Sequence, residues 1–330
     1  MPRADSDLDV VSERLRRSRF LGQGAGCRAS YGGLAPDMNA VDWLMGSDPS
    51  IRWQVMHDLS DAPDDLVAAE RSKVATHCWG AELLARQTPD GQWGGDPSIP
   101  KWTSSPEWFA MKTLVWLRDL GLDPSSDEAC RAVALTREHV TWHWFDDHPF
   151  FVGEVEPCIN GRVVAIGANF GQDVTGLVDR LLREQMDDGG WNCEQEHGST
   201  RGSFHTTINV LEGLLAYEHA VGGAGDVPAA RLRGEEYLLE RRMLRRLSTG
   251  EIVDPTFTQP SFPTGYHYDV LRGLDHLRRA GATPDERVVE AIDIVESKRR
   301  EDGRWVLENP DPDQLDLELG DWPRLACAAK

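Results

Sequence analysis

The chain has 330 residues, 40% hydrophobic and 27% charged, so a sizeable core is within reach and wholesale disorder is excluded. Lys and Arg number 35 against 55 Asp and Glu, a formal net charge of −20. That excludes a general nucleic-acid binder, which needs cations to displace counterions from phosphates, and it disfavours docking on an anionic membrane.

The first 38 residues carry Arg14, Arg16, Arg17 and Arg19 among acids and glycines, with no apolar block. This reads as a poorly ordered arm, not a signal peptide. A single domain is expected over residues 39–330. No apolar run reaches the roughly 18 residues that a membrane helix needs. The six cysteines are scattered, with no secretion signal ahead of them. Reduced thiols, a cytoplasmic location and some thiols on a metal are the expectation. Oligomeric state is not legible.

Apolar spacing predicts helices over 79–87, 108–120, 163–185 with a break near Gly171, 206–219, 234–247, 270–279 and 288–300. Convincing strand alternation is absent, so the fold class is all-α, built of paired helices. The Arg241 to Arg246 run reads as a solvated helix face.

A heptapeptide recurs along this pattern. Residues 87–93 read Gln-Thr-Pro-Asp-Gly-Gln-Trp and residues 185–191 read Gln-Met-Asp-Asp-Gly-Gly-Trp. Residues 299–305 form a weaker copy, Arg-Arg-Glu-Asp-Gly-Arg-Trp. Asp-Gly makes the turn after a helix. Gln can bond loose backbone groups there while Trp stacks over it. Asp90, Asp188 and Asp302 are therefore read as staples and not as acids. The 12 Trp residues are more than twice the number expected from average usage.

Gln-x-x-Asp-Gly-x-Trp segments between helical hairpins resemble those of the squalene-cyclase and protein-prenyltransferase superfamily. The resemblance runs from about Trp43 to Trp305. It includes Asp48-Pro49-Ser50-Ile51-Arg52-Trp53-Gln54, Phe204-His205-Thr206-Thr207 and Phe262-Pro263. It implies an α/α toroid with a central cavity for an isoprenoid or other apolar chain. After Gly320 only ten residues remain, so the ring is expected to be open or short at that end.

The prenyltransferases bind zinc with an Asp-x-Cys at one inner-helix start and a His at a later one. The resemblance places zinc here on Cys158 and His205, with Glu156 in the Asp position. Cys193 follows the Trp191 staple and is a further candidate ligand; His267 precedes another helix and is a candidate ligand or catalytic group. Thiolate, imidazole and carboxylate are zinc ligands in their own right, and three of them leave a position open. The stretch 148–153 ahead of Glu156 carries no Lys or Arg. Arg162 and Arg201 are the nearby cations for a substrate, and Trp144 and Phe204 are candidate substrate-contacting aromatics.

Two alternatives stand beside this reading. One is a metal-free, acid-initiated cyclase. It lacks the Asp-x-Asp-Asp acid of that branch, so Asp146 or Asp147, following Trp142, His143 and Trp144, would serve. The other is a non-catalytic lipid-binding or scaffold protein whose zinc only staples two hairpins, which predicts a closed four-ligand site.

Overall fold

A computed structural model describes residues 40–60, 62–94, 105–223, 225–283 and 285–310. The expected N-terminal arm and the expected short C-terminal end lie outside these residues. The helices are α1 (Ala40–Met45), α2 (Pro49–Asp58), α3 (Asp64–Arg71), α4 (Cys78–Ala85), α5 (Pro106–Asp119), α6 (Asp127–His139), α7 (Pro157–Asn169), α8 (Thr175–Arg183), α9 (Phe204–Val221), α10 (Val227–Glu240), α11 (Val270–Arg279) and α12 (Val289–Ser297). Among the described residues strands are confined to two short pairs: β1 (Thr141–Trp142) antiparallel to β2 (His148–Pro149), and β3 (Ser261–Phe262) parallel to β4 (Asn309–Pro310). The all-α expectation holds for the described residues.

Local chemistry explains where the central helices begin. Ser105 caps α5 by accepting from the Trp108 amide, with Pro106 next in line. Ser203 caps α9 through Thr206, and Asp269 caps α11 through Arg272. These side-chain oxygens satisfy amides that have no partner within the helix. Proline supplies the first turn without wasting a donor. Helix α7 begins at Pro157, six residues earlier than periodicity indicated. It ends at Asn169, and Gly171 at φ 67° makes the expected break before α8.

The helices pack in two rows. Successive members α5, α7, α9 and α11 touch one another, and α8, α10 and α12 lie against α7, α9 and α11. The closest approach is α7 on α9. A Cβ on Gly161 would stand 2.5 Å from the Asn209 carbonyl oxygen, so only glycine permits this spacing. Val163, Val164, Ile166, Ile208, Leu211 and Leu214 are buried around it.

The three Asp-Gly-x-Trp segments close alike. The indole N–H of Trp93, Trp191 and Trp305 donates to the carbonyls of Leu83, Leu181 and Val295 at 2.8, 2.7 and 2.7 Å. The Gln87 amide donates to Gly91 and, across to α6, to Ala132. The Gln185 amide does the same to Gly189 and Ala230. Asp188 accepts from the Gly190 and Gly202 amides and from Arg241, and acts as a staple.

One expected helix differs. The segment expected over 234–247 is helical only as Val227–Glu240, because Arg242 and Met243 turn to positive φ. Met243 is thereby buried, and its amide bonds the Leu238 carbonyl. The arginine run is a solvated face only in part, since Arg242 and Arg246 are exposed but Arg241 and Arg245 are not. Arg241 lies 3.7 Å from the Tyr237 ring centroid and pairs with Asp188, while Arg245 pairs with Glu290.

Candidate metal centre and adjoining cavity

Cys158 is the second residue of α7, one position beyond Pro157. Glu156 is the residue before that helix, and its Oε2 lies 3.5 Å from the Cys158 sulfur. Cys193 arrives from elsewhere in the chain. It follows the Trp191 staple and is clipped to the first turn of α9, where Thr206 Oγ1 accepts its amide at 3.3 Å and lies 3.4 Å from its sulfur. The Trp191 amide bonds the neighbouring Thr207 hydroxyl at 3.0 Å. Packing of α7 on α9 brings these two anchor points together.

Glu156, Cys158 and Cys193 offer ligand atoms that all lie within 4.8 Å of one another. Among the described residues they form the one such group of three His, Cys, Asp or Glu side chains. All three are half-buried. A tetrahedral zinc with bonds of about 2.3 Å to sulfur holds two thiolates about 3.8 Å apart, so the spacing suits such an ion with little movement. The Cys158 thiol is pushed well above its ordinary range, first by its hydrogen bond with Cys193, then by burial and by the nearby Glu156 carboxylate. A bound cation would offset the burial and neighbouring negative charge that keep the Cys158 thiol protonated.

His205 does not join this group. It occupies the second position of α9, matching Cys158 on α7. Its Nδ1 accepts the Tyr268 amide at 2.9 Å, which puts the proton of the neutral ring on Nε2. Its ring packs among Phe257, Tyr266 and His267, with the His267 centroid 5.6 Å away. Burial, reinforced by His267 and Arg272, pushes its pKa down to about 4. His205 and His267 thus form a separate pair beside α11.

The other expected residues fall in different surroundings. Arg162 lies one turn beyond Cys158 on α7 and is buried, with its guanidinium 5.5 Å from the Trp108 ring centroid. Its Nη1 has no hydrogen-bond partner. Burial, with Arg272 and Arg118 nearby, pushes its pKa down to about 10. Arg201 is exposed, and Phe204 is buried against Tyr237, Phe257 and Tyr268. Asp146 and Asp147 sit at positive φ in the exposed turn between β1 and β2.

Comparison with family models, with curated proteins and with solved structures returns no match.

A cavity of about 260 Å³ adjoins Glu156. Trp108, Trp142, Trp144 and Phe145 give it aromatic walls. Glu107 and Glu154 also line it, and both are buried. Neither was expected from sequence, because each is a lone Glu outside any motif. Two backbone amides, of Val155 and Glu156, donate to the Glu154 carboxyl at 2.7 and 2.6 Å. Burial still pushes its pKa up to about 8. Trp144 is 49% exposed and stands at the rim. The excess of Trp therefore serves two ends, stapling helices and lining this space.

Proposed function

We propose that the chain is an enzyme of the prenyltransferase and terpene-cyclase type, an α/α toroid whose zinc is held by Cys158, Cys193 and Glu156. The carrying observation is the convergence of these three side chains within 4.8 Å, two from the start of α7 and one from the loop clipped to α9. A three-ligand site leaves the fourth position for water or substrate, as catalytic zinc requires. When bound, zinc would lower the pKa of a thiol or water in that position and make it nucleophilic. Placement of successive helices in two rows, with like closures at Trp93, Trp191 and Trp305, supports the toroid.

The substrate in this reading is an isoprenoid diphosphate or a similar apolar chain with an anionic head. Arg162 supports it: a buried guanidinium nitrogen without a partner, one turn from Cys158, is a ready donor to an anionic oxygen. His205 is left as a neutral base or donor beside α11, not as a ligand.

Elemental analysis of protein purified without chelators tests the reading. About one zinc per chain is expected, lost in Cys158→Ala and Cys193→Ala and kept in His205→Ala. Zinc-free wild-type protein, or zinc that survives both cysteine substitutions, sinks it. Transfer or hydrolysis of isoprenoid diphosphates by the zinc-loaded protein, weakened in Arg162→Ala, tests the substrate class.

A further inference from the structure

The cavity beside Glu156 has a composition of its own. Its walls are aromatic, yet three carboxyl groups open onto it: Glu107, Glu154 and Glu156. Among the described residues lining it there is no Lys, Arg or His. Glu107 is the telling member. It is 3% exposed, and no hydrogen bond or ion pair to its side chain occurs among the described residues. Burying a carboxylate without a partner is costly, and the usual remedy is a cation. Glu154 is different, since the Val155 and Glu156 amides fix its orientation.

We propose that this cavity binds an organic ammonium ion, with Glu107 as its counter-charge, the Glu154 carboxyl as a further oxygen contact, and Trp108, Trp142 and Trp144 around its cationic head. Aromatic rings attract cations through their quadrupole, most strongly when water is displaced, and Trp is the best of them. A trimethylammonium head has no strong donors, so rings and carboxylates together recognise it where a compact metal ion would demand oxygen ligands throughout. At about 260 Å³ the space lies below the roughly 300 Å³ at which drug-sized sites begin, which points to a small ligand. Trp144 at the rim gives the entry side. Arg162, over Trp108, does not line the cavity and leaves its charge balance negative. Glu156 is shared with the proposed zinc site, but Glu107, Trp108 and Trp142 are not, so the two proposals stand or fall separately.

The test is titration of the full chain with choline chloride, followed by calorimetry. The neutral isostere 3,3-dimethylbutan-1-ol is titrated in parallel, and zinc content is measured on the same samples. Saturable choline binding is expected, at least tenfold tighter than the alcohol. Glu107→Gln should weaken choline at least tenfold with its thermal midpoint and zinc content kept. Should Glu107→Gln fail to fold, Trp144→Ala at the rim replaces it, and severalfold weaker choline binding is expected there. Equal affinity for choline and the alcohol would reduce the cavity to an apolar pocket and overturn the proposal. So would absence of choline saturation, or wild-type choline affinity in the folded variant. Loss of zinc with choline binding intact would sink only the metal reading.

Discussion

Gly213 of α9 lies against Gly161 of α7 so closely that a Cβ on Gly213 would stand 2.2 Å from the Gly161 carbonyl oxygen. No side chain can yield there, because the obstacle is backbone. Gly213→Ala must push the two helices apart. It should cost about 3 kcal/mol or more, the upper range for overpacking. Since α7 carries Cys158 and α9 anchors Cys193, the same shift should weaken zinc binding. Urea denaturation and zinc competition read the two effects, and wild-type values in both would refute the coupling.

Trp191 is fully buried, and its indole N–H donates to Leu181. Trp191→Phe keeps much of the packing but orphans that carbonyl, for about 1–3 kcal/mol. Trp305 makes the like bond at a half-buried position, so Trp305→Phe should cost less. Chemical denaturation of both variants checks the order. A larger loss at Trp305 would contradict it.

Arg272 grips Glu212 across α9 and α11, with Nε on Oε1 and Nη2 on Oε2, each at 2.8 Å. Burial alone would raise the Glu212 carboxyl, but Arg272, aided by Arg118, outweighs it and holds the pKa well below the usual range. A depressed carboxyl gives stability that is present above the unfolded pKa of about 4.3 and lost as pH falls through the folded value. Glu212→Gln should therefore cost about 3 kcal/mol at pH 7, as expected for a broken buried pair. The gap from wild type should narrow steadily below pH 4. A gap constant down to pH 2 would show that the loss is steric.

His205 carries the opposite group type with the same sign. Its folded pKa is pushed down to about 4, against an ordinary value of 6.5. Its contribution to stability is present above pH 6.5 and is lost as pH falls toward 4, by roughly 3 kcal/mol in full. Protonation of Nδ1 also breaks the bond from the Tyr268 amide. Nitrogen NMR should find the Nε2–H tautomer at pH 7. An imidazolium at that pH would contradict the geometry.

Much of the helical layout was legible because it depends on near neighbours. The break at Gly171, the left-handed end of α9 at Gly222 and the Asp-Gly turns are local choices, and local sequence states them. The pairing of Glu156 with Cys158 came from the family resemblance, since apolar spacing alone began that helix only at residue 163. The end of α10 was not legible. Arg241 to Arg246 has helical composition, but the helix stops so that Met243 can reach the core, and packing overrides propensity there.

The sequence by itself determined an acidic chain of stapled helices, with Glu156 and Cys158 as candidate ligands. Only the tertiary structure decided that Cys193, and not His205, completes the group. Spacing made both plausible, since each lies near the first turn of α9. His205 packs instead among Phe257, Tyr266 and His267, with its Nδ1 held by the Tyr268 amide, 63 residues away. The carboxylate-bearing cavity has the same origin. Glu107 comes from α5, Glu154 from the approach to α7, and the Trp rings from α5 and the β1–β2 hairpin. Nothing in one dimension marks these residues as neighbours; the close crossing of helices and the burial it enforces do.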